Sequence, residues 1–74
     1  MIAELDQVVL VKDLPDRMLR AGDVGTVVHA YRGGSAFEIE FLTMQGRTIC
    51  VVTLPADDVR PIGEREIAHA REVA

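Results

Sequence analysis

Glu38 and Glu40, in "AFEIEF", are the pair of residues in this chain best spaced for chemistry. Residues two apart on a strand share a face. Paired carboxylates can act as acid and base, or hold a hard cation. No other acid stands at a ligand spacing, and the alternation with Phe37, Ile39 and Phe41 turns both carboxylates toward water on a half-buried strand. Asp57 and Asp58 fall in "PADD", where aspartate bonds to its own backbone in a turn. His29, His69 and the single Cys50 do not make a closed four-ligand zinc site. Cys50 lacks a CxxC neighbour or an adjacent base, and reads as a small apolar strand residue. A Cys50–His29 pair stays open at this level. We expect no catalytic residues, no metal and no cofactor.

The stretch "AGDVGTVV" raises the possibility of a phosphate loop. Such a loop runs from strand to glycines to the N-terminus of a helix. Here the glycines follow an irregular stretch and precede a β-branched run, so the reading is structural. Gly22 is expected to supply a positive φ at the end of the loop. Gly25 is expected to allow close backbone approach, or a bulge, where a curled strand bends. Gly33, Gly34 and Gly46 are assigned to turns that require positive φ.

The elements follow from punctuation and period. "QVVLVK" (7–12), "VGTVVHAY" (24–31), "AFEIEF" (36–41), "TICVVTL" (48–54) and "VRPI" (59–62) read as five strands. Residues 13–23 form a long loop with one helical turn at "DRML", and Arg17 and Arg20 could lie on one side of it. "RGGS" and "TMQGR" are turns, and Pro55 opens a helical turn at 55–58. Residues 63–74, "GEREIAHAREVA", carry acids first and His69 and Arg71 later, which suits a short C-terminal helix. Its apolar stripe of Ile67, Ala70, Val73 and Ala74 is thin. The expected fold is mainly β: a small SH3-like five-stranded barrel over 1–62 and a helical tail over 63–74. A partly open OB-type barrel is the alternative.

Composition narrows the function classes. Seventy-four residues allow one small core and no deep walled cavity. Eight basic against twelve acidic residues leave a net charge of −4, which argues against a polyanion such as nucleic acid. One cysteine excludes an intrachain disulfide. The chain has no leader pattern and no apolar run long enough for a membrane span, so a cytoplasmic location is expected. A groove for proline-rich ligands needs aromatic walls, and only Tyr31 lies outside the strand carrying both phenylalanines.

"VVLVKDLP", "GDVGTVV", "FEIEF", "GRT" and "TLPADDVRPI" together resemble a small bacterial family, domain-of-unknown-function family 4926, over about residues 5–62. The resemblance implies an SH3-like fold and no assigned activity. The same glycine pattern is more loosely similar to the KOW motif of ribosomal and transcription-factor barrels. The expected function is therefore a non-catalytic protein-interaction module, acting as a homo-oligomer or as the small accessory of another protein, for example of antitoxin or immunity type. A KOW-like RNA- or ribosome-associated barrel is the alternative. A three-residue loop at Met44–Gly46 would pair Phe41 with Ile49 and Ile39 with Val51, facing inward. That register turns Leu42, Cys50, Val52 and Leu54 outward as an apolar row, covered by Ile67 and Val73 of the tail or by a second copy.

Overall fold

A computed structural model describes residues 1–73. Five strands, β1 (Gln7–Leu10), β2 (Val24–Ala30), β3 (Ala36–Leu42), β4 (Thr48–Pro55) and β5 (Val59–Pro61), form one antiparallel sheet. The order is β4-β3-β2-β1-β5. Each expected strand is present with ends shifted by a residue or two. Between them lie single 3-10 turns at Pro15–Arg17, Arg32–Gly34 and Ala56–Asp58. No ladder joins β4 to β5 among the described residues, so the sheet is not closed into a barrel by hydrogen bonds.

The core lies on one face of the sheet. Val8 and Leu10 of β1, Val27 of β2, and Phe37, Ile39 and Phe41 of β3 are buried there with Leu54, Val59 and Leu19. The alternation seen in "AFEIEF" holds: the three apolar residues are buried and the glutamates are half-exposed. Val8 opposes Gly25 across the β1–β2 ladder. A Cβ built on Gly25 would lie 2.5 Å from Ile39 Cγ2 and 3.0 Å from Phe41 Cε1, so β2 approaches the buried side chains of β3 there as only glycine can. Beyond it, Val28 is an extra residue between the Val27–Ile39 and His29–Glu38 pairs, a bulge that bends the strand.

The β3–β4 hairpin departs from the expected register at a single residue. The loop is as predicted: Thr43 N–H donates to Arg47 O at 2.7 Å, Gly46 N–H donates to Thr43 O at 2.9 Å, and Gly46 has φ +89°. Leu42 then pairs with Thr48, but Phe41 pairs with Cys50. Ile49 is therefore an extra residue, and the slip of one flips every later side chain of β4. Cys50, Val52 and Leu54 stand opposite Phe41, Ile39 and Phe37 and point inward, not outward. Val51, expected inside, is 45% exposed. Of the expected outward row, only Leu42 keeps its place, 40% exposed.

The tail is not a helix. Residues 64–73 contain no helical segment, and their one backbone–backbone hydrogen bond is Glu66 N–H to Gly63 O, 3.2 Å. A segment this short is marginal as a helix without a docked apolar face, and Ile67 is 91% exposed. Two of its charged residues, Glu66 and Arg71, are instead paired with groups of the sheet and the first loop. Arg60 of β5 grips both carboxylate oxygens of Glu66 at 2.7 Å, and Gly63 N–H donates to the same carboxylate. Arg71 reaches Asp23, 48 positions earlier.

Candidate interaction surfaces

A few charged groups of the chain pair at the surface. Glu40 accepts from Thr48 Oγ at 2.6 Å across the hairpin. Lys12 faces Asp58 at 3.6 Å, and His29 Nδ1 faces Glu4 at 3.5 Å with its ring edge-on to Tyr31. His29 pairs with Glu38 on the outer face, whereas Cys50 pairs with Phe41 on the core face. The two are thus on opposite sides of the sheet and are not brought together. His69, Arg17 and Arg20 are exposed. Among the described residues no three His, Cys, Asp or Glu converge as a metal cluster.

The turn glycines stand where the sequence placed them. Gly22, Gly33, Gly34 and Gly46 all have positive φ, between 69° and 98°, and nothing lies within 4 Å of a Cβ built on any of them. They shape turns. Gly25 has an ordinary backbone and is held by crowding alone.

Two surface features remain. The first is the free edge of β4. This strand carries no charged residue, and its core-facing Cys50 and Val52 are only half-buried, because no strand flanks them on the outer side. Val52 and Cys50 pack against the core from one side only. The opposite edge, β5, has three residues, among them Arg60 and Pro61. Short length, a charge and proline are the usual devices that blunt an edge. On β4 only the Ile49 bulge and terminal Pro55 play that part, and Cys50–Leu54 between them is unguarded.

The second feature is the long loop between β1 and β2. Its backbone is fixed from within: Asp13 accepts from Ala21 N–H at 2.9 Å, Leu14 and Leu19 form a two-way bridge, and Asp23 accepts from Arg20 N–H at 2.8 Å. Leu19 anchors it in the core, 2% exposed. Arg71 lies across the loop with Nε and a terminal nitrogen on the two Asp23 oxygens, 2.9 and 2.5 Å, and donates to Met18 O at 3.1 Å. A groove of about 330 Å³ at this pair lies between Pro15, Met18 and Leu19 of the loop and Arg71 and Glu72 of the tail. Burial pushes the Asp23 carboxyl up, but the Arg71 hydrogen bonds, the Arg20 N–H and the two arginine charges outweigh it and hold it below the ordinary range. The same hydrogen bonds raise Arg71. Glu66 is lowered to about 2, first by Arg60 and then by Gly63 N–H. Sequence reading missed the Asp23–Arg71 pair. Asp23 stood inside the "AGDVGTVV" motif, and nothing local links it to the tail.

The family described as Domain of unknown function (DUF4926) matches residues 4–61. This chain belongs to that family. The match takes in all five strands and the β1–β2 loop with Asp23, and it stops short of the tail that carries Arg71. No curated protein and no solved structure matches the chain. No helix among the described residues is long and apolar enough to cross a membrane.

Proposed function

We propose that this DUF4926 chain is a non-catalytic, cytoplasmic protein-interaction module of SH3-like barrel type that self-associates through the free edge of β4. The order β4-β3-β2-β1-β5, with β1 paired antiparallel to β5, supports the barrel reading. The observation that carries the interaction is the contrast between the two sheet edges. β5 is short and blunted, while Cys50–Leu54 of β4 is uncharged and has no strand on its outer side, and its Cys50 and Val52 are only half-buried.

A second copy suits this edge. Antiparallel pairing about a two-fold axis at Val52 sets Val52 opposite its own counterpart and Cys50 opposite Leu54. All of these residues face the same side, so the half-buried Cys50 and Val52 of each copy gain apolar neighbours across the edge. No charge meets a like charge. A net charge of −4 does not favour a nucleic-acid partner.

The test is light scattering of the full chain at tens of micromolar, with Val52→Glu as the variant. Wild type is expected at twice the monomer mass. Val52→Glu sets two carboxylates face to face across the axis and is expected to give a monomer with an unchanged circular dichroism spectrum. Val51→Lys, at an exposed position of the same strand, serves if the first variant does not fold. A wild-type monomer at these concentrations overturns the reading.

A further inference from the structure

We propose that the β1–β2 loop is a binding site for an arginine side chain on an extended peptide segment, and that the chain's own tail occupies it as a tethered competitor. The receiving groups are the two Asp23 carboxylate oxygens and the Met18 carbonyl. A planar guanidinium with parallel N–H donors fits such an array, and a lysine ammonium cannot engage both oxygens in the same way.

The receptor is built independently of what fills it. Asp23 is oriented by Arg20 N–H, and its own N–H donates to Arg20 O at 3.0 Å. Asp13 braces the loop through Ala21 N–H, and Gly22 N–H donates to Leu10 O at 2.7 Å, tying the loop to β1. Met18 adopts a left-handed backbone, φ 59°, within the turn that presents its carbonyl. None of these contacts involves the tail.

The occupant is held far less firmly. Between Gly63 and Arg71 the tail has no regular structure, and residues 63–70 are all exposed. Its ionic ties to the body, among the described residues, are the exposed Arg60–Glu66 pair and Arg71 itself, and only beyond Arg71 does Val73 become half-buried. The loop lies within the matched family unit and the tail outside it, so the receiving side chain Asp23 and the filling side chain Arg71 fall on opposite sides of that boundary. A segment tethered in this way acts at an effective concentration on the order of millimolar. A partner segment with arginine in extended backbone can displace it once it binds more tightly than that. This site is separate from the β4 edge and does not depend on self-association.

The probe is a fluorescent peptide with the sequence of residues 64–74, EREIAHAREVA, added to the full chain. Arg71→Ala in the chain empties the site without touching the loop. This variant is expected to bind the probe more tightly than wild type by one plus the ratio of the tail's effective concentration to its intrinsic Kd, roughly tenfold for a millimolar tether and a Kd of about 0.1 mM. A probe with alanine in place of Arg71 is expected not to bind, although its Arg65 remains as a control for general charge attraction. Adding Asp23→Asn to the Arg71→Ala chain is expected to abolish binding. In wild type, excess probe is expected to move the Arg71 Nε–H resonance toward that of a free arginine, a readout that needs no variant. Equal binding by wild type and Arg71→Ala, or equal binding of the alanine probe, overturns the proposal. So does an Arg71 resonance that does not move at millimolar probe.

Discussion

Gly25→Ala adds one methyl group where β2 crosses the core face of β3. The new carbon would lie 2.5 Å from Ile39 Cγ2 and 3.0–3.1 Å from two carbons of the Phe41 ring. Carbon–carbon contacts are comfortable at about 3.5–4.0 Å, so roughly 1 Å of overlap with Ile39 must be relieved. Ile39 is 0% and Phe41 1% exposed, so neither can swing into solvent. The methyl in contact is on the β-branch of Ile39, and moving it means leaving a favoured rotamer, at about 0.5–1.5 kcal/mol. Backbone adjustment adds to this, and overpacking of a tight core typically costs about 1–3 kcal/mol. The smaller entropy of an alanine in the unfolded chain returns about 0.4–1 kcal/mol. The net loss is about 1–2 kcal/mol, which in a domain this size lowers Tm by about 4–16 °C. Gly25→Val should cost more. Thermal and urea denaturation followed by circular dichroism measure it. Ile39→Ala removes the obstructing methyl, so the double variant should lose less than the sum of the two single losses. An unchanged Tm in Gly25→Ala, or strict additivity in the double variant, would refute the close-approach argument.

Two further predictions concern the loop. The Asp23 carboxyl is lowered on folding, so its contribution to stability is present above the unfolded value, about 3.9, and is lost as pH falls through the folded one. Urea midpoints between about pH 5 and pH 2 should therefore fall less steeply in Arg71→Ala than in wild type; parallel curves would remove Asp23 from the acid response. Met18→Gly replaces a half-exposed residue held at φ 59° and should raise stability by about 0.5–1 kcal/mol in urea denaturation, since the left-handed region costs an L-residue about 1–2 kcal/mol and glycine's unfolded-state entropy offsets part of that. A lower midpoint would mean that the Met18 side chain contributes more than its backbone conformation costs.

The sequence shows local demands well and distant ones poorly. Gly22, Gly33, Gly34 and Gly46 were legible because a positive φ is a property of one residue and its turn. The alternation in "AFEIEF" located the buried face of β3 because the period of two is local. The Ile49 bulge was not legible: "TICVVTL" is apolar at nearly every position, so either register offers an apolar inner row. The observed register sets Leu54 against Phe37, both buried, and that contact joins two strands. The tail misled for a related reason. "EREIAHAREVA" has the composition of a helix, but the partners of Glu66 and Arg71 lie on β5 and in the first loop. Ionic contacts of that range leave no periodic trace.

The bulge and the free edge are linked. With Ile49 in register, Cys50, Val52 and Leu54 would face solvent, and β4 would present an apolar outer surface to any covering element. With Ile49 set out of the ladder, those three side chains turn inward, but the sheet ends at β4, and Cys50 and Val52 stay only half-buried while Leu54 joins the core. The exposed apolar property thus moves from a face to an edge. A face accepts a helix or a sheet layer of many shapes, whereas an edge is satisfied by a strand, whose backbone groups must meet those of β4 in register. That requirement narrows the partner. In the self-association proposed above, Cys50–Leu54 of a second copy is that partner, an extended uncharged segment that meets the requirement by symmetry.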